Sequence, residues 1–146
     1  MINIKFFVFA AIAVISTTSC VFAEAIDLEG NPIAIQGYDA VSYHALGGPA
    51  KGYASHSYKW RGFVWYFATE KNMELFKKSP EEYAPQYYGY CSCAVSKGYL
   101  SGSNPNVYSI VGNKVYLFVS EDVKINWLRD FTKNLEVADL NWKKIQ

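Results

Sequence analysis

An α+β fold, a small single domain with antiparallel hairpins packed against two or three helices, follows from three observations. Two pairs of aromatic- and valine-rich runs are each joined by two residues with turn chemistry, Arg61-Gly62 and Gly112-Asn113. A hydroxyl residue, Thr69 or Ser120, follows each pair and precedes apolar residues at helical spacing. The resulting order of strand, strand, helix, loop, strand, strand, helix differs from the alternation that builds parallel sheets.

At the N-terminus, Lys5 precedes an uninterrupted apolar run from Phe6 to Ile15, and Val21-Phe-Ala23 or Ala23-Glu-Ala25 offers small residues for cleavage. This is the pattern of a secretory signal peptide over residues 1–23, with one domain over residues 24–146. The run is too short for a bilayer, which needs roughly 20 apolar residues per helix, so no transmembrane segment is expected. The expected location is the periplasm or the exterior. Thr17-Thr-Ser-Cys20 raises lipid anchoring through Cys20 as an alternative, against which stands Thr17 where a large aliphatic residue is usual. Of 14 basic and 13 acidic residues, removal of Lys5 leaves 13 of each and no net charge. A protein that grips nucleic acid or anionic lipid needs a basic face, and no nucleic acid partner is expected here.

The first hairpin is expected over Ser57 to Trp60 and Phe63 to Phe67. Thr69 then caps a helix from Glu70 to Lys78, with Met73 and Phe76 at i, i+3 spacing, and Pro80 stops it. The second hairpin is expected over Val107 to Val111 and Lys114 to Val119, where Val115, Leu117 and Val119 alternate with Tyr116 and Phe118. Ser120 caps a second helix, in which Val123, Trp127, Phe131 and Leu135 recur every fourth residue as one buried stripe. A short helical turn around Trp142 packs back on the sheet. No long repeat and no low-complexity linker breaks this single unit. Gly47-Gly48-Pro49 is a turn, since no helix with a Lys-Ser/Thr pair follows it. Aromatic residues make up 17% of the chain, and exposed tyrosines are a surface on which a protein partner could dock.

Chemistry concentrates in Tyr88-Gly-Tyr-Cys-Ser-Cys-Ala-Val-Ser96. In an extended segment residues i and i+2 point to one side, so Cys91 and Cys93 would present two sulfurs to one soft ion. Thiolates suit copper(I), and His56 is the imidazole that would join them. Zinc-type sites want four ligands, a thin supply with only His44 and His56 beyond the thiols. Two other readings stay open. Cysteine is often a small buried hydrophobe, over which the neighbouring tyrosines would pack. A disulfide between i and i+2 closes a small strained ring, which would make Cys91 and Cys93 a labile redox pair. Asp39, after Gly37-Tyr38, is read as a turn residue bonding nearby backbone amides.

Several motifs, in order, resemble the YHS domain family: Ile35-Gln-Gly-Tyr-Asp-Ala-Val-Ser-Tyr43, His56-Ser57, Trp65-Tyr-Phe67, Phe76, Pro80-Glu-Glu-Tyr83 and Ala84-Pro-Gln-Tyr-Tyr-Gly-Tyr-Cys91. The chain is most similar to the longer secreted branch, over roughly residues 34–142. The resemblance implies an α+β domain that binds heavy metals, copper especially, and no particular reaction. The short metal-associated form carries cysteines at positions held here by Ser42 and Ala68, so its suspected ligands do not transfer. The expectation is therefore a non-enzymatic soft-metal protein of copper type using Cys91, Cys93 and His56. A structural or interaction module with a buried cysteine, and a thiol redox protein, are the alternatives.

Overall fold

Two antiparallel hairpins frame the computed structural model, which describes residues 25–45 and 47–146. The signal peptide read into residues 1–23, and Cys20 within it, lie outside the described residues. The first hairpin pairs β1 (Tyr53–Trp60) with β2 (Phe63–Phe67), the second β3 (Asn104–Val111) with β4 (Lys114–Phe118). Both expected turns are present. Arg61 and Gly62 have φ of 53° and 80°, and Gly112 and Asn113 of 55° and 63°. Positive φ at both central positions gives the turn whose twist matches that of the flanking strands.

Each first strand begins earlier than alternation suggests. Tyr53 pairs with Phe67 but Ser57 with Tyr66, so residues 54–56 bulge out of the ladder. The same break separates Asn104, opposite Phe118, from Tyr108, opposite Leu117. A bulge leaves residues unpaired and bends the strand, which erases the period of two that marks a strand in sequence.

The helices in chain order are α1 (Ser42–Ala45), α2 (Glu70–Lys78), α3 (Pro80–Tyr83), α4 (Ser92–Ser96), α5 (Glu121–Arg129) and α6 (Phe131–Ile145). Two 3-10 turns, Ala34–Gly37 and Gln86–Gly89, precede α1 and α4. Thr69 Oγ1 accepts from the Asn72 amide at 3.1 Å and Ser120 Oγ from that of Val123 at 3.4 Å, as the capping signals require. The stripe from Val123 to Leu135 is not one helix. Asp130, at φ −119° and ψ 48°, separates α5 from α6, and Asn134 Nδ2 donates to the Trp127 carbonyl at 2.7 Å. That bond satisfies a carbonyl which the broken helix orphans. The expected short turn at Trp142 is the end of the fifteen-residue α6.

A long repeat, only faintly marked in the sequence, organises the chain. A shift of 51 positions lays Tyr53 on Asn104, the turn at Arg61 on that at Gly112, Thr69 on Ser120, and Glu70 on Glu121. Strand lengths, bulge positions, turn geometry and cap match, as does the nine-residue helix after each hairpin. The 3-10 turns match at a shift of 52: Ile35 and Gln36 have φ of 41° and 54°, and Tyr87 and Tyr88 of 57° and 52°, each pair followed by a glycine with positive φ.

The halves share one interior. Trp65, Phe67, Phe76 and Tyr43 from the first half pack with Val115 and Leu117 from the second. Tyr87, Tyr116, Phe118, Trp127 and Ala138 form an adjoining cluster under α5 and α6. Fully burying one such large apolar side chain is worth about 1.5–3 kcal/mol, so these rings dominate the cohesion of the fold. Tyr43 Oη donates to the Pro105 carbonyl at 2.7 Å and ties the halves together. Among the described residues no helix is long and apolar enough to cross a membrane.

Candidate functional site

The three residues chosen from the sequence lie in three different local structures. Cys91 is buried at 2% exposure and pairs its backbone with Leu117 of β4. The chain then turns helical at Ser92, so Cys93 belongs to α4, half-buried against the second cluster. Cys91 itself keeps an extended backbone, at φ −60° and ψ 115°, as the residue before α4, so the extended segment expected through Cys93 ends at Ser92. His56 sits in the β1 bulge, half-exposed. Among the described residues no group of three or more His, Cys, Asp or Glu side chains is gathered for a metal. Both thiols, Cys91 and Cys93, are free. The exposed tyrosines are Tyr53 and Tyr99, at 60% and 53%.

Asp39 is a structural anchor, as read. Its Oδ1 accepts from the amides of Val41 and Ser42 at 2.8 and 3.3 Å. Its Oδ2 accepts from the Ala68 amide at 2.8 Å and from Asn72 Nδ2 at 2.7 Å. A fully buried carboxylate holding four donors has its charge spent on α1 and on the start of α2, and is not positioned as a base.

Among the described residues a cleft of about 510 Å³ opens where the two 3-10 turns meet. Ile33, Ile35 and Gln36 come from the first half; Tyr88, Tyr90, Ser103 and Asn104 come from the second, with Phe63 at the start of β2. Ile35, Gln36 and Tyr88 hold a left-handed backbone that L residues rarely adopt, at a cost of about 1–3 kcal/mol each. β-branched Ile35 is the most unusual. Tertiary contacts hold the turns in this shape. Gln36 Nε2 donates to the Ser103 carbonyl at 2.6 Å, and Ser103 Oγ donates to the Gly89 carbonyl at 2.6 Å. Gly89 lies so close to Ile35 that a Cβ there would overlap Ile35 Cγ2.

Rings build one zone of the cleft. Phe63 stands edge-on to Tyr88 and to Tyr90, with centroids 6.3 and 6.2 Å away. Polar atoms gather in another, where Gln36 is bonded to Ser103 and Asn104 follows in the chain. Among the described residues no carboxylate, amine, imidazole or thiol lines the space. The lining side chains thus offer aromatic rings, aliphatic groups, hydroxyls and amides.

Sequence reasoning missed these residues because left-handed isoleucine and glutamine have no local signature. One faint signal existed: Gly-Tyr recurs at Gly37-Tyr38 and Gly89-Tyr90, just after each turn. No family model, curated protein or solved structure matches this chain.

Proposed function

We propose that this chain is an exported, YHS-like, non-enzymatic binding protein whose ligand occupies the cleft between the paired 3-10 turns. The observation that carries this reading is the strain: three non-glycine residues with left-handed backbone line one roomy cleft. Strained backbone persists where surrounding structure over-determines it, and such residues cluster at ligand clamps. The volume falls within the range of small-molecule sites, and the mix of aromatic walls with a few convergent polar groups suits a guest held by both. Soft-metal binding by Cys91, Cys93 and His56 has less support, because Cys91 is almost fully buried and no group of three or more candidate ligands is gathered among the described residues.

The test is amide NMR on the purified protein, titrated separately with a small-molecule fragment library and with copper(I) under anaerobic conditions. Fragments should perturb Gly37, Gly89, Gly102 and Ser103 first. Saturable copper binding that shifts Cys91, Cys93 and His56 and disappears in folded Cys91→Ser, with no fragment reaching the cleft, would restore the metal reading.

A further inference from the structure

We infer that the cleft takes an uncharged, flat, amphiphilic organic molecule, an inference that rests on the cleft being the binding site. Charge decides the first adjective. No lining side chain among the described residues is charged at neutral pH, so an ionic guest would give up its hydration with no counter-ion to meet it.

Shape decides the second. Phe63, Tyr88 and Tyr90 are set edge to face within about 6 Å of one another through Phe63, which gives a continuous aromatic wall. A planar guest gains most from such a wall, because offset and edge-on ring contacts both lie within its reach. Aliphatic Ile33, Ile35 and Val119 extend the apolar lining.

Amphiphilicity follows from segregation of the polar atoms. Gln36 is fixed to the Ser103 carbonyl at 2.6 Å, which brings its amide oxygen, an acceptor, to the same edge as the Ser103–Asn104 backbone. Asn104 Oδ1 is bonded by the Asn106 amide at 3.0 Å, which orients its amino group as a donor. A guest with a hydroxyl or amide at one end and a ring system at the other meets both zones at once.

Three probes that share one naphthalene ring system test this on the purified protein: 2-naphthol, 2-naphthoate and 2-naphthylmethylammonium, neutral, anionic and cationic at neutral pH, titrated calorimetrically. Val119→Trp fills the cleft from an exposed position, and Ile125→Trp at an exposed position of α5 is the control, with native circular dichroism checked for both. The neutral probe should bind, Val119→Trp should weaken it about tenfold or more, and Ile125→Trp should leave it unchanged. Both ionic probes should bind about tenfold more weakly than 2-naphthol. An ionic probe that binds within about threefold of 2-naphthol, and loses affinity in Val119→Trp, overturns the ligand class while leaving the cleft as the site. If no probe binds by about 1 mM, or if Val119→Trp changes none of them, the cleft itself is overturned.

Discussion

Asp39 and Cys91 occupy the same place in the two halves of the chain. The amide of Asp39 donates to the Ala50 carbonyl at 2.8 Å, and that of Cys91 donates to the Ser101 carbonyl at 2.9 Å. Each residue follows a Gly-Tyr pair and precedes a short helix. Only the first has a polar nest. Removing the carboxylate in Asp39→Ala strands the Ala68 amide and the Asn72 side chain, both bonded by Oδ2. The expected loss is about 3 kcal/mol, seen as a fall of about 2 M in the urea midpoint. A fall below about 0.5 M would remove the anchor role.

The duplication makes a second, sharper prediction. Position 123, which matches Asn72, is Val123, so the second half lacks the side-chain amide that meets the Asp39 carboxylate in the first. Cys91→Asp should therefore destabilise by about 3 kcal/mol, as an unpaired buried charge does. Adding Val123→Asn should recover at least about 1 kcal/mol of that, a coupling that a double-mutant cycle isolates. Simple additivity of the two changes would show that the halves are not equivalent at this position.

Gly89 and Gly62 both hold positive φ, at 88° and 80°, yet differ in surroundings. A Cβ at Gly62 meets nothing within 4 Å, so Gly62→Ala bears only the backbone cost of about 1–2 kcal/mol. A Cβ at Gly89 drives into Ile35, and Gly89→Ala should cost at least about 2 kcal/mol more. Thermal unfolding of both variants measures the difference. Shortening the obstacle, as Ile35→Ala in the Gly89→Ala background, should return part of it; no recovery would mean that the two turns do not bear on each other.

Elements whose cause is local were legible in the sequence. Gly112-Asn113 and Arg61-Gly62 specify tight turns by their own backbone preferences, and Thr69 and Ser120 cap helices with their own hydroxyls. The α+β class followed from those four points. What escaped depends on distant contacts. The stripe through Val123 and Leu135 hid a break at Asp130, because both helices present apolar residues to one cluster across it. The repeat was masked because its key positions changed chemistry together, Asp39 to Cys91 and Asn72 to Val123, while few stayed identical, among them Gly-Tyr, Val64 with Val115, Phe67 with Phe118 and Glu70 with Glu121. The cleft was hidden for a related reason: Ile35 is left-handed because of what Gly89 allows, 54 positions away.

Thiol reactivity should separate the two cysteines. Cys91 is almost fully buried and Cys93 half-buried. Native-state alkylation with iodoacetamide should modify Cys93 first and Cys91 only after denaturant is added, since the reagent needs an accessible thiolate. Mild oxidation should not join them within one chain, because a disulfide between i and i+2 closes a small strained ring. Mass spectrometry reads both outcomes. Rapid labelling of Cys91 in the native protein, or an intramolecular disulfide formed without loss of structure, would revive the redox alternative.

Alkaline pH should unfold the protein through its buried phenols. Burial raises the ionisation of Tyr43 well above the usual tyrosine range. Burial also raises that of Tyr87, with a further push from the Asp139 carboxylate, which accepts its hydroxyl at 2.9 Å. Tyr116 is raised as well, by burial and then by Asp139. A phenol whose folded value exceeds its unfolded value of about 10 contributes fully below that pH. As pH climbs beyond it toward the folded values, the unfolded chain releases protons that the folded one retains, and the contribution is lost. Absorbance at 295 nm should thus show a cooperative step from these buried phenols that coincides with loss of the native circular dichroism. Tyr87→Phe removes one of the ionisations that drive this step and should reduce its amplitude. A single smooth titration of all the tyrosines, with the dichroism unchanged to its end, would show that Tyr43 and Tyr87 are open to solvent.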